Sequence, residues 1–188
     1  MASLIFVSHP EVAVDAACPV TQWGLNETGH ARARAFARSA LLSDVTAIWS
    51  SEERKARDTA EHLAAYLDVP VQQDVCLGEN DRTATGFLPP EVFERAADAF
   101  FANPETSFRG WERATDAQSR IVTAVRSIVA GHGRGDLAIV SHGAVGTLLY
   151  CALSRLPISR VHDQPGQGHY WSADLGNLVP RHPWRSIG

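Results

Sequence analysis

The chain has 188 residues, 45% hydrophobic and 20% charged, with a formal net charge of −4, which suits one soluble domain with a real core. That balance leaves no basic footprint for nucleic acid and no polybasic signal for a membrane surface. Cys18, Cys76 and Cys151 are odd in number, far apart and without C-x-x-C spacing, which argues against a disulfide framework or structural zinc; with an N-terminal apolar run too short for a signal peptide or a span, they predict a cytoplasmic protein.

Residues 4–7 are a short apolar run stopping at Ser8-His9-Pro10, and predict a buried strand. "NETGHARARAFARSALL" then places Ala33, Phe36, Ala37, Ala40 and Leu41 on one helical face. Residues 45–51, "VTAIWSS", predict a second strand ending at Ser50-Ser51. The next helix stacks Ala56, Ala60, Leu63, Ala64 and Leu67; Ser50 with Glu53 has capping-box spacing, and Ser51 is the alternative N-cap. A third strand is expected around 71–77. From about 79 to 112 the alternation breaks, with Gly86, Pro89-Pro90, Pro104 and Gly110 around one short helix near 91–101. This reads as an insertion over one end of the sheet within a single domain. Residues 112–131 stack Ile121, Val122, Val125, Ile128 and Val129, with Gly131 as a stop. Residues 137–140 repeat the opening pattern and stop at Ser141-His142, with a helix starting directly after. "HYWSADL" alternates as an antiparallel edge strand would, and "PRHPWRSIG" reads as a surface-wrapping tail.

Alternating strands and helices predict an α/β layered fold with a mostly parallel sheet. Ligands of such sheets bind beyond the carboxyl ends of the strands. His9, Ser50-Ser51 and His142 all fall there, and helix starts at Ser51 and Gly143 would offer free N–H groups to an anion. One strand-end histidine is commonplace; two on one sheet point to a site for phosphate or another oxyanion. Glu79 is either the acid of that rim or a solvated loop carboxylate. Arg54, Lys55 and Arg57 occupy a helix N-terminus, where the dipole disfavours cations, so an anion accounts for them better than a solvated face does. "GHGRGD" precedes a strand, the wrong order for a dinucleotide loop, and neither G-x-S-x-G nor H-E-x-x-H occurs.

These motifs resemble the histidine phosphatase superfamily, the phosphoglycerate-mutase-like family. "LIFVSHP" is similar to its first strand, which ends in Arg-His-Gly or Arg-His-Ala. "LNETGHARA" resembles its L-[S/T]-x-x-G-x-x-x-A helix start, and "SSEERKARDTA" its S-S-P-L-x-R-A-x-x-T-A element. Leu77-Gly78-Glu79 resembles its L-x-E, and Val140 to Gly143 match its V-S-H-G fully. Two departures stand out: Ser8 replaces the first-strand arginine, and by register Lys55 replaces the second.

The resemblance implies a three-layer α/β/α fold and a covalent, metal-free and cofactor-free phosphatase acting on a small phosphorylated substrate. His9 would be the nucleophile and Glu79 the general acid and base, with Asp81 in reserve. His142, cationic, would stabilise the phosphoryl oxygens with Ser8, Lys55 and Gly143, and Arg54, Arg57 or Arg82 would replace the missing arginine. Two rivals are a non-catalytic phosphate-ligand binder on the same fold and a metal-dependent hydrolase using His9, Glu11, Glu79 and His142.

Overall fold

The computed structural model describes residues 2–188. Ser3–Ser8 (β1), Val45–Ser50 (β2), Val71–Gln73 (β3), Asp136–Ser141 (β4), His169–Asp174 (β5) and Arg185–Ser186 (β6) form one sheet in the order β3-β2-β4-β1-β5-β6. β1 through β4 pair in parallel, while β5 runs antiparallel to β1 and β6 antiparallel to β5. The α/β class with a mostly parallel sheet is as the sequence predicts.

The sheet is covered on both faces, which is why its central strands read as unbroken apolar runs. Leu4, Phe6, Leu137 and Ile139 face one core, with helices Ala114–Gly131 (α4) and Gly143–Leu153 (α5). Ile5, Val7, Ala138 and Val140 face the other, with Glu27–Ala37 (α1) and Arg54–Leu67 (α2). The remaining helix, Pro90–Ala102 (α3), lies within residues 79–112.

Several boundaries differ from expectation, each through a local side-chain bond. The Asp74 carboxylate accepts from Cys76 N–H at 2.8 Å, so the third strand stops at Gln73 and turns into a 3-10 turn over Val75–Leu77. Ser39 accepts from Leu41 N–H at 3.2 Å and starts a separate turn that buries Leu42 rather than Leu41. Ser51 Oγ accepts from Glu53 N–H at 3.2 Å, so neither Ser50 nor Ser51 is the N-cap; α2 begins at Arg54 with Glu53 capping by its backbone. The antiparallel strand β5 is not the edge, because the tail supplies β6 and buries Ile187.

Candidate active site

β1 ends by delivering His9 to the carboxyl rim. Its backbone N–H donates to Ser141 O on β4 at 3.2 Å, and its Nδ1 lies 2.9 Å from Pro10 O. A carbonyl only accepts, so Nδ1 carries the proton and Nε2 keeps its lone pair. The residue is 9% exposed. Burial, reinforced by the nearby Lys55 charge, lowers its pKa to about 4, so the ring is neutral at pH 7.

β4 delivers His142 beside it, the two rings edge to face with centroids 5.3 Å apart. His142 is fully buried; its Nε2 lies 2.9 Å from Ser51 Oγ, and its Nδ1 has no protein partner among the described residues. Burial holds its pKa well below the usual value, which corrects the expectation of a cationic His142.

Glu53, at the start of α2, organises the far wall. One carboxylate oxygen accepts from Glu79 N–H at 2.9 Å and lies 3.4 Å from His142 Nε2; the other pairs with the Lys55 ammonium. Burial opposes the charge on Glu53, but His142 in its protonated form, the Lys55 ammonium and the Glu79 N–H outweigh it and bring its pKa to about 2. Lys55 is 2% exposed and also donates to Val20 O at 2.9 Å. Glu79 sits against the start of α5: Oε1 accepts from Val145 N–H at 3.0 Å and Oε2 from Ala144 N–H at 3.3 Å. Burial raises its pKa, against the pull of Arg82 and these N–H groups.

A cavity of about 430 Å³ opens here, and His9, Lys55, Glu79, Arg82 and Gly143 all line it. Ser8 does not. It is fully buried and donates to Gln164 Oε1 at 2.5 Å while accepting from His169 N–H at 3.0 Å, so its hydroxyl pins the 164–169 loop instead of facing a ligand. Arg54 and Arg57 are also absent from the lining. The helical advance of 100° per residue turns Lys55 inward and leaves both arginines exposed, with Arg54 near Asp58 at 3.9 Å. Arg82 makes no ion pair or side-chain hydrogen bond among the described residues; its guanidinium lies over the Phe93 ring at 4.8 Å. Asp81 is exposed, and its bonds from Thr83 N–H and Oγ1 keep its pKa low. Glu11 is paired with Arg32 at 2.6 Å, and no metal-binding group of three or more His, Cys, Asp or Glu side chains occurs among the described residues.

Four contributors had no sequence assignment to the site. Glu53 figured only as a capping residue. Gln164 packs so closely on Gly143 that a Cβ there would lie 2.3 Å from its Nε2. Asn80 is 4% exposed, lines the cavity and has an unpartnered Nδ2. Arg120 on α4 donates to the carbonyls of Cys76, Gly78 and Glu79 at 2.8, 2.9 and 3.1 Å, fixing the segment that carries Glu79. Only Glu53 had a signal: a carboxylate where the quoted motif has leucine.

A mycobacterial glucosyl-3-phosphoglycerate phosphatase with bound inorganic phosphate superposes with a TM-score of 0.81 at 21% identity, over 100% of this chain and 99% of that one. Bacillus stearothermophilus YhfR gives 0.81 at 23% identity over 100% of each chain. Phosphoserine phosphatase from Entamoeba histolytica, in complex with 3-phosphoglyceric acid, gives 0.78 at 17% identity over 99% and 98%. These likenesses establish the fold. No curated protein matches the chain by sequence. The model of the histidine phosphatase superfamily (branch 1) matches residues 4–172, so the chain belongs to that superfamily.

Proposed function

We propose that the protein hydrolyses phosphomonoesters through a phosphohistidine on His9, without metal or cofactor. The observation that carries this reading is the state of His9: a neutral ring, its Nδ1 proton held by Pro10 O, its Nε2 lone pair free, at the floor of a cavity shared with Glu79. In the first step Nε2 attacks phosphorus, the ester P–O bond breaks, and Glu79 gives its proton to the leaving oxygen. In the second, Glu79 takes a proton from water, the water oxygen attacks phosphorus, and the N–P bond breaks to release phosphate and neutral His9. The raised pKa of Glu79 suits an acid, whereas Asp81 is held ionised outside the cavity. Arg82, Asn80 and the Gly143 end of α5 supply donors for the phosphoryl oxygens, and His142 buttresses His9 as a neutral ring.

Replacing an arginine fork by Ser8 removes one preorganised donor, worth about a hundredfold in rate. The enzyme is therefore expected to be slow. Rapid quench with a 32P-labelled phosphomonoester should trap label on His9 in the wild type and none in His9→Ala, with turnover indifferent to EDTA. Wild-type turnover by His9→Ala would remove the covalent route. The pH profile of kcat/KM should rise through about 4 as His9 loses its proton and fall on the alkaline side as Glu79 loses its own.

One observation favours a second reading, a non-catalytic binder of a phosphate ligand: neither clamp arginine of the family is present, Ser8 being bonded to Gln164 and Lys55 paired with Glu53, while Arg82, Asn80 and Gly143 still line the cavity. It predicts phosphate binding with no label on His9.

A further inference from the structure

We infer that the alcohol carried by the substrate is an uncharged group with an apolar arm the size of one or two aromatic rings, and not a small hydroxy acid. This rests on the phosphatase reading for the reaction, but its argument concerns the rest of the cavity. Beyond His9 and Glu79 the apolar part of the wall includes Trp23, Phe87, Phe93 and Phe101, with Val12 and Val20. Trp23 and Phe87 stand as a pair on the border of the cavity, ring centroids 5.7 Å apart, and Phe87 is 37% exposed. An aromatic arm laid against this pair would gain apolar burial and edge-to-face contacts.

The charges point the same way. A phosphorylated hydroxy acid carries a carboxylate besides its phosphoryl group, and needs a cation for each. Of the cations in this wall, Lys55 is paired with Glu53, and Arg160 with Glu94 and Asp98. Arg82 alone lacks an acidic partner among the described residues, and the phosphoryl group requires it. Glu94 and Asp163 also line the cavity, so a second anion would meet carboxyl groups without a free cation.

The test compares alkyl phosphates, so that leaving-group reactivity does not decide the result. We expect 2-naphthylmethyl phosphate to be hydrolysed with a kcat/KM at least tenfold above that of 3-phosphoglycerate or ethyl phosphate. Phe87→Ala should shrink the naphthylmethyl-to-ethyl ratio severalfold, mainly through KM. Equal or better use of 3-phosphoglycerate, or a ratio unmoved by both Phe87→Ala and Trp23→Ala, would overturn the inference. If no phosphomonoester is turned over, the phosphatase reading fails, and binding decides the inference separately. By calorimetry, 2-naphthylmethylphosphonate should bind at least tenfold more tightly than methylphosphonate; equal affinities would overturn it.

Discussion

Glu53 changes the chemistry of this site more than any other single residue. The family pattern has a leucine there and an arginine two residues on; here a carboxylate and a lysine pair with one another under the histidines. The pair removes the local positive charge that a phosphate dianion needs, while satisfying a lysine that is 2% exposed. Glu53→Gln should release that charge. The apparent affinity for inorganic phosphate, read as competitive inhibition or as a thermal shift, should rise by up to about tenfold. Stability without phosphate should fall by about 3 kcal/mol, since breaking a buried pair strands its partner. Unchanged phosphate affinity would mean that Lys55 serves Val20 and α2 rather than the ligand. Ser8 is a replacement of another kind, because the hydroxyl and Gln164 fill the space together. Ser8→Arg alone should cost about 2 kcal/mol through overpacking and give no gain in activity. Combined with Gln164→Gly it should raise kcat/KM on ethyl phosphate by up to a hundredfold, the worth of one restored donor. A gain from the single variant would show that Gln164 yields easily.

At the scale of elements, the rim is held by the close approach of α1 to the loop that follows β1. Gly29, buried in the first turn of α1, is the contact point: a Cβ there would lie 2.2 Å from Glu11 O, a backbone atom with nowhere to go. Asn26 caps the same turn through Gly29 N–H at 2.9 Å, and its backbone N–H donates to Glu11 O at 3.0 Å. Gly29→Ala should therefore displace Pro10 and Glu11, loosen the carbonyl that orients His9, and cost at least about 2 kcal/mol in urea denaturation with a drop in kcat. Retention of both wild-type stability and kcat would place the flexibility of this loop above its packing. Much at this scale was legible in advance, because the apolar runs of β1 and β4 and the periods of α2 and α4 are long-range packing written as local patterns. What stayed hidden depends on which side chain bonds which backbone. The ends of β3 and α1 and the start of α2 were set by Asp74, Ser39 and Ser51 bonding N–H groups two residues on, which any serine or aspartate can do and few must. The 2-residue strand β6 has no periodicity to read. Gln164 and Arg120 reach the site from distant segments, a convergence that no spacing along the chain encodes.

For the whole molecule, the burial of His9 and His142 and the partial burial of other histidines tie stability to pH through the cost of charging them. His9, His62, His142, His169 and His182 all have lowered pKa values, burial being the first cause in each. Each binds fewer protons folded than unfolded once the pH drops below the ordinary value of 6.5, so stability must fall as the pH falls. For His9, with a folded value of about 4, the loss accumulates from 6.5 down to 4 and then stops; between pH 7 and pH 5 it amounts to about 2 kcal/mol. Glu79 and Asp163 act in the opposite sense, since a raised carboxyl pKa favours the folded state as protons are added. Glu53, held to about 2, contributes only below the ordinary carboxyl range, from about 4.5 downward. Five histidines with lowered values against two carboxyls with raised ones set the direction expected between neutrality and pH 5. Urea midpoints should drop over that interval, and His9→Gln, which cannot titrate, should flatten the slope by about the His9 share. Wild-type stability that holds steady from pH 7 to pH 5, with no difference in slope for His9→Gln, would mean that His9 accepts a proton in the folded state. A nucleophile already protonated at pH 5 has no lone pair to offer there, so the same measurement bears on the acid limb of the activity profile. The two should move together, because the burial that makes His9 costly to protonate is also what keeps its Nε2 free for phosphorus.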